Sequence, residues 1–249
     1  ADTVASAAEP VSTAAQAPVL QAEIPKGQLP TGIRPAAYRL DLVTDPYADT
    51  FTGYEEIDLN LDKPHSRIWL HALGPDVSAI KAVLPDGMEI AATFTPNETP
   101  DGVARVDFDA PLPAGEATLI AEYQAPYNHH LAGLYKVEQG GLPYLVTQFE
   151  DIDARRMFLS FDEPRFKTPY TLTVTAPAAM EVAANGAETE AEDLGDGMVR
   201  HHFATTRPIQ SYLVALMVGP YDKVIGEPIP ATDLRPEAVP LRGFAPAGK

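Results

Sequence analysis

The sequence predicts an all-β domain made mostly of antiparallel strands, arranged as a sandwich or as one large curved sheet. Apolar and polar residues alternate with a period of two over many short stretches. Turn-forming PDG, PAG, NG and GDG sequences separate these stretches. The chain contains 25 prolines, and because an interior proline costs a helix about 3 kcal/mol, long helices are disfavoured. At 249 residues, one large β domain or two small domains are possible.

The regular pattern begins near LPTGIRPAAYRLDL. In YRLDLVT, apolar Tyr38, Leu40 and Leu42 alternate with polar neighbours, as in a strand with one solvated face. EIDLNLD repeats this pattern, as do ARVDFDA, TLIAEYQ, YTLTVTAP and VRHHFATT. In RIWLHAL the alternation sets the inward positions Ile68 and Leu70 against Trp69 and His71.

Three later stretches depart from simple alternation. The glycine pair in EQGGLPY predicts a hairpin turn. A short irregular or helical segment is expected around 151–163, where Ile152, Met157 and Phe161 fall roughly at helical spacing. SYLVALMVGPY (211–221) is almost wholly apolar, and therefore predicts one strand buried on both faces.

The chain divides into three predicted parts. Residues 1–28 form an Ala- and Pro-rich flexible tail, residues 29–238 the folded β domain, and residues 239–249 a strand that leads into a further domain. The tail resembles what remains after a signal peptide is removed, and an ordinary disordered N-terminus is the alternative. We therefore expect a periplasmic or extracellular location, with the cytoplasm as the alternative.

The amino-acid composition argues against several classes of function. Thirty-five acidic against 18 basic residues give a net charge of −17, which argues against nucleic acid because phosphate contacts need clustered Lys and Arg. The absence of cysteine excludes disulfides, thiolate metal sites and a cysteine nucleophile. No run of 18 apolar residues exists, so no membrane span is expected.

Common catalytic motifs are absent from the sequence. Neither H-E-x-x-H, nor G-x-S-x-G, nor a glycine-rich nucleotide loop occurs. The pairs His129/His130 and His201/His202 are adjacent, and neighbouring strand residues point to opposite faces, so each pair is poorly placed to share a metal. We expect no metal site in this chain.

The stretch TQFEDIDARRMFLSFDEP (147–164) holds the strongest candidate chemistry. Its carboxylates could form a general acid and base, as in a glycosidase. Arginines lie among them, so the simpler interpretation is an ion-paired scaffold, which we assign to Arg155, Arg156, Asp162 and Glu163.

Several ordered blocks resemble the N-terminal domain of the aminopeptidase N family, which are zinc-dependent gluzincin peptidases. TQFEDIDARRMFLSFDEPRFKTPYTLTV is similar to that domain's signature, LPTGIRPAAYRLDL and FTGYEEIDLNLDKPHSRIWLHA to its first strands, and SYLVALMVGPYD to its closing strand. The resemblance covers about residues 29 to 249. Leu159 and Ser160 stand where the family often has proline and cysteine.

The resemblance implies a saddle-shaped β domain that covers a zinc-binding catalytic domain. It further implies that Glu150 binds the free α-amino group of a peptide substrate and that Gln148 helps to shape the pocket for the first side chain. No catalytic residue can be carried over, because the family's zinc helix and catalytic tyrosine have no counterpart in these 249 residues. The implied zinc belongs to the full-length parent enzyme.

We therefore predict a substrate-binding domain of an exported, bacterial-type aminopeptidase whose partners are its own C-terminal catalytic domain and peptide N-termini. Alone, this chain is expected to bind no zinc and to hydrolyse nothing. The alternative is a stand-alone, non-enzymatic β-sandwich that acts as a binding module. The surface that carries Gln148 and Glu150 is expected to be bare and partly apolar.

Overall fold

The computed structural model describes residues 23–96 and 98–249, so most of the predicted tail at 1–28 lies outside the described residues. In the described part the chain forms sixteen strands and two short 3-10 helices, which confirms the all-β prediction. No helix in the same ranges is long and apolar enough to cross a membrane.

The strands follow one another with short connections. The first nine are β1 Ile33–Val43, β2 Thr50–Leu61, β3 His65–His71, β4 Asp76–Val83, β5 Glu89–Thr95, β6 Val103–Leu112, β7 Gly115–Pro126, β8 Gly133–Gln139 and β9 Leu142–Gln148. A 3-10 helix at Ala154–Arg156 falls where irregular or helical structure is predicted. The later elements are β10 Tyr170–Pro177, β11 Glu181–Ala184, β12 Glu188–Asp193, β13 Met198–Phe203, a second 3-10 helix Ser211–Leu213, β14 Leu216–Gly219, β15 Tyr221–Ile229 and β16 Val239–Pro246.

The strands form three sheets. The largest has ten strands in the order β12-β13-β10-β1-β2-β7-β4-β5-β6-β3. A four-stranded sheet has the order β11-β14-β9-β8, and β15 pairs with β16 alone. The pairing of β1 with β10 is parallel, which departs from the mostly antiparallel pattern seen elsewhere.

Alternation along the central strands places the core as the sequence predicts. Tyr38, Leu40 and Leu42 of β1 are buried, whereas the intervening side chains are partly exposed. The hydrophobic effect stabilises such a face by about 25 cal/mol for each Å² of apolar surface removed from water. The inner face of the large sheet therefore forms the main core.

Strand β3 departs from its predicted alternation. Trp69 and His71 are buried along with Ile68 and Leu70. Strand β3 is the last strand of the large sheet, and its outer edge is covered because His71 forms an antiparallel bridge with Ser160. Because the segment containing Ser160 covers this edge, the His71 side chain is not exposed to solvent.

The prediction of one strand over residues 211–221 is wrong. The segment begins with the 3-10 helix Ser211–Leu213, continues in β14 and enters β15 after Pro220. Proline has no backbone N–H for a strand ladder, which separates the two strands. Leu213 is 47% exposed, so the segment is not buried throughout.

The strand predicted at 239–249 is present as β16, and it pairs with β15 in the two-stranded sheet. The assignment of residues 29–238 and 239–249 to different domains stays a prediction.

Candidate functional site

The two predicted binding residues lie at the end of a β-hairpin. Strands β8 and β9 are joined by Gly140 and Gly141, whose φ angles of +63° and +78° suit a two-residue turn. The pairing of the two strands ends with Gly133 opposite Gln148. Because β9 also pairs with β14, Gln148 leaves a strand that is held along both edges.

The end of β9 presents an edge formed by Gln148, Phe149 and Glu150, called here the acidic edge. Gln148 and Glu150 are exposed, and Phe149 between them is buried. The Phe149 ring packs edge to face against Phe158, with 6.1 Å between the ring centroids. The backbone N–H of Glu150 donates to Oε1 of Gln148 at 3.1 Å, and the peptide bond from Glu150 to Asp151 is cis. The buried ring thus fixes two polar side chains at the surface.

The carboxylate of Glu150 is open to a ligand. Among the described residues, no Lys, Arg or His nitrogen lies within 4.0 Å of it. Asp151 is also exposed, and the neighbouring Ile152 is 43% exposed. This surface is partly apolar, in agreement with the expectation from sequence, and its charge favours a cation.

A buried ion pair lies behind the acidic edge. Nε of Arg155 is 2.9 Å from Oδ2 of Asp162, and both side chains are almost fully buried. Arg155 also donates to the carbonyl oxygens of Asp101 at 2.7 Å and Asp162 at 3.1 Å. The hydroxyl of Ser211 donates to Oδ1 of Asp162 at 2.5 Å. Both charges are therefore compensated, which burial requires.

The other two residues of the predicted scaffold pair elsewhere. Arg156 lies 2.6 Å from Asp153, and Glu163 pairs with Arg165. Glu163 also accepts a hydrogen bond from the backbone N–H of Leu29 at 2.5 Å, which ties the start of the domain to this stretch. All four scaffold residues lie in ion pairs, but only Arg155 and Asp162 pair with each other. Their role in holding Glu150 stays a prediction.

Residues 159–162, called here the anchored segment, are held by three side-chain acceptors and one backbone acceptor of the large sheet. Each of their four backbone N–H groups donates a hydrogen bond to a group on β1, β2 or β3. The acceptors, in order along the segment, are Oε2 of Glu55 at 3.0 Å, the carbonyl oxygen of His71 at 2.9 Å, Oη of Tyr38 at 3.0 Å and Nδ1 of His71 at 3.2 Å. The backbone donors of this buried segment are thus satisfied, as burial demands.

Burial shifts the pKa values of these acceptors. It raises the pKa of Glu55 well above its ordinary range, and it likewise raises the pKa of the Tyr38 hydroxyl. Burial, with a smaller effect of the nearby Arg155 charge, lowers the pKa of His71 to about 3. His71 is therefore neutral at neutral pH, which leaves Nδ1 able to accept the Asp162 N–H.

Sequence reasoning missed Glu55 and His71 as parts of this site. A signal for Glu55 was present, because extending the alternation of β2 backwards from Ile57 places residue 55 on the inward face. A carboxyl group at an inward position is rare without a specific partner. For His71 no local signal exists, since its burial comes from a segment about 90 residues away in the sequence.

The two histidines of the pair His201/His202 contact different partners. His201 Nδ1 lies 2.7 Å from Glu188, while His202 Nδ1 lies 3.4 Å from the Thr173 hydroxyl. Across residues 23–96 and 98–249, no group of three His, Cys, Asp or Glu side chains could hold a metal ion.

Comparison with known proteins identifies the same domain type. The family model of the Peptidase M1 N-terminal domain matches residues 34–213. Aminopeptidase N from Acetobacter pasteurianus is 33% identical over 228 residues, which are 89% of this chain and 60% of the relative. Aminopeptidase M1-C from Oryza sativa subsp. japonica is 32% identical, over 85% of this chain and 24% of its own length. Human glutamyl aminopeptidase is 28% identical, over 79% and 22% respectively. The chain thus spans between about a fifth and three fifths of these curated relatives.

Proposed function

Because the chain belongs to the Peptidase M1 N-terminal domain family, we propose that it is the substrate-binding domain of a zinc aminopeptidase that removes N-terminal amino acids from peptides. The observation that carries this proposal is the exposed Glu150 carboxylate, which protrudes beside Gln148 with a buried phenylalanine behind it and no cation nearby among the described residues. The relatives are named as aminopeptidases and are longer than this chain.

The chemistry of a peptide N-terminus suits Glu150. A peptide α-amino group has a pKa of about 7.7–8.0, so much of it is cationic at neutral pH. A carboxylate that accepts a hydrogen bond from such a cation contributes roughly 1.5–3 kcal/mol. An internal peptide bond offers no charge at this position. Glu150 would therefore select chain ends and place the first peptide bond at a fixed distance.

Gln148 supports this role from the same edge. Its Oε1 accepts the Glu150 backbone N–H, so the amide fixes the backbone from which the carboxylate projects. In the proposed enzyme, Gln148 thereby orients Glu150 and also lines the site of the first substrate side chain.

The zinc of such an enzyme does not fit the described residues of this chain. They contain no cluster of three possible ligands, so the ion would be bound by the catalytic domain of the parent enzyme. When bound there, zinc would supply an activated water for attack on the peptide bond. The contribution of this domain is binding and orientation of the substrate.

The decisive experiment replaces Glu150 in an aminopeptidase-length enzyme that contains this domain. Glu150→Gln removes the charge and keeps the shape. We expect kcat/KM for an aminoacyl anilide to fall about ten- to a hundredfold, which corresponds to one charge-assisted hydrogen bond.

The matched control is Asp151→Asn, which makes the same change of charge at the next exposed residue. The control is expected to retain most of the wild-type kcat/KM. Equal losses in both variants would show a general effect of surface charge and would contradict the proposal. Unchanged activity in Glu150→Gln would favour an interaction module without an amine site.

A further inference from the structure

Glu55 occupies a central position in the ten-stranded sheet. Its strand β2 pairs with β1 and β7, where Glu55 lies opposite Leu40 and Ala121. The residue is 0% exposed. A carboxyl group is costly at such a position unless a partner compensates its charge. The occurrence of a glutamate in the middle of this core therefore calls for a physical reason.

The hydrogen bonding of Glu55 is incomplete for a carboxylate. Oε2 accepts the backbone N–H of Leu159 at 3.0 Å. Within the described ranges, the other oxygen, Oε1, is buried without a hydrogen-bond partner. One backbone amide cannot balance a full charge, because an uncompensated buried carboxylate loses far more hydration than one hydrogen bond restores.

Among the residues with known placement, the groups around Glu55 supply no positive charge. The titratable side chains that face it are Tyr38 from β1, Tyr123 from β7 and Tyr170 from β10. The anchored segment contributes Asp162, which faces two of these tyrosines and is itself paired with Arg155. No ion pair joins Glu55 to a Lys, Arg or His in the part of the chain that the structure describes. This environment favours the neutral, protonated carboxyl group, and burial raises its pKa accordingly.

A continuous line of contacts connects Glu55 with the acidic edge. Glu55 holds the N–H of Leu159, and the preceding residue is Phe158. The Phe158 ring packs edge to face against Phe149 at 6.1 Å. Phe149 is the buried residue between the exposed Gln148 and Glu150. A displacement of the anchored segment would therefore remove the support of the edge.

We propose that Glu55 is a positioning residue for the acidic edge and that it holds the anchored segment in its protonated form. The inference rests on the proposed function in so far as Glu150 binds the substrate amine. The protonated side chain keeps an oxygen for the Leu159 N–H and carries no charge. Loss of its proton as the pH rises places a charge in the core, which loosens the segment and with it Glu150.

Hydrogen exchange of the 249-residue chain tests this role without any enzyme assay. The readout is deuterium uptake of peptides covering residues 147–164, corrected for the pH dependence of chemical exchange. In the wild-type protein, protection is expected to fall as the pH rises. Glu55→Gln keeps an oxygen acceptor and cannot ionise, so its protection is expected to stay constant over the same range.

A second variant, Glu55→Leu, removes the acceptor and fills a similar volume. Exchange of the anchored segment is expected to rise about tenfold or more at every pH, which is the effect of losing one buried hydrogen bond. A peptide from the β15–β16 hairpin serves as the internal control and should exchange alike in all three proteins. Identical pH profiles for wild type and Glu55→Gln, or equal protection in Glu55→Gln and Glu55→Leu, would overturn the proposal.

An activity assay distinguishes the role of Glu55 from the proposed amine-binding role of Glu150. In an aminopeptidase-length enzyme, Glu55→Gln is expected to retain a larger share of its own neutral-pH kcat/KM at high pH than the wild type does. If exchange follows the expected pattern and activity does not, the positioning of the segment holds and the amine-binding role of Glu150 fails. If hydrogen exchange has the same pH dependence in wild type and Glu55→Gln, the proposed role of Glu55 is wrong, whatever the activity of Glu150 variants.

Discussion

Asp162 shows how a single residue organises this domain. Its buried carboxylate receives the Arg155 side chain at one oxygen and the Ser211 hydroxyl at the other. Its backbone N–H donates to His71. Three parts of the chain thus meet at one residue. A buried ion pair adds little stability compared with an apolar pair of the same shape, but removing one partner leaves an uncompensated charge.

At this scale, Arg155→Met is expected to lower the free energy of unfolding by about 3–5 kcal/mol, because Asp162 then remains buried without its cation. Arg156→Met is the matched control. Its ion pair with Asp153 is partly exposed, so a loss of about 1 kcal/mol or less is expected. Urea unfolding at neutral pH measures the free energy of unfolding of both variants. Equal losses would show that the two arginines contribute alike, contrary to the geometry.

His71 gives the domain a sensitivity to acid. Its folded-state pKa of about 3 lies below its ordinary value of 6.5, so the unfolded chain binds the proton more readily. The stability that depends on neutral His71 is complete above pH 6.5 and is lost as the pH falls toward 3.

This loss amounts to about 1.4 kcal/mol per pH unit inside that window. His71→Asn keeps an acceptor near the position of Nδ1 and does not titrate, so its stability is expected to fall less steeply between pH 6.5 and 4.5. Urea unfolding of both proteins at several pH values provides the comparison. Parallel curves would contradict a role for His71 in acid sensitivity.

At the scale of elements, two of the three glycines of the β8–β9 hairpin lie in different surroundings. Both Gly133 and Gly140 have positive φ, at +71° and +63°. A Cβ on Gly133 would lie 2.9 Å from Cβ of Arg156, whereas a Cβ on Gly140 would meet nothing within 4 Å. The first glycine thus permits a close approach of the hairpin to the 3-10 helix, and the second permits only the turn.

Gly140→Ala is expected to cost about 1–2 kcal/mol, the cost of placing an L residue in the left-handed region. Gly133→Ala is expected to cost more, because the clash with Arg156 is added to the same backbone cost. The difference between their free energies of unfolding isolates the contact. If Gly140→Ala proves the more damaging variant, close packing of the hairpin on the helix is not a source of stability.

The elements also show what the sequence could predict. Alternation identified the central strands, since Tyr38, Leu40 and Leu42 are buried, and the paired glycines marked the β8–β9 turn. Local patterns failed where a distant segment supplies the environment. Residues 68–71 of strand β3 are buried on both faces, and the anchored segment pairs with the edge of this strand at His71. Residues 211–221 form a 3-10 helix and parts of two strands that are separated at Pro220, instead of one strand.

The candidate site also combines features that local sequence predicts with features that depend on distant residues. The exposed positions of Gln148 and Glu150 around a buried Phe149 follow from short-range alternation. The different burial of the adjacent Arg155 and Arg156 does not follow from local alternation, because it depends on Asp101 and other partners far away in the sequence. A single sequence gives no access to such long-range acceptors.

At the scale of the whole molecule, the β15–β16 hairpin is a separate two-stranded sheet. It exposes Val224 and Ile225, which are 63% and 70% exposed and point to opposite faces as neighbouring strand residues do. A two-stranded hairpin is marginally stable alone, and an apolar patch on each face favours association.

The isolated chain is therefore expected to self-associate as its concentration rises. The double variant Val224→Thr/Ile225→Thr preserves β-branched side chains and should shift this association to higher concentration. Val43→Thr/Val137→Thr, which changes exposed valines elsewhere, is the control and should behave as the wild type. Sedimentation velocity over a range of concentrations distinguishes them. A monomer at every concentration would show that the hairpin does not drive association.

The four hydrogen bonds of the anchored segment have a consequence for protein engineering. Their side-chain acceptors lie 91, 104 and 123 residues away in the sequence. A transplant of residues 147–164 into a distant relative would carry the donors and leave their acceptors behind. Such a chimera should acquire the conformation of the acidic edge only when Tyr38, Glu55 and His71 are transferred with it. The transferable unit is therefore discontinuous: one stretch of sequence and three single residues.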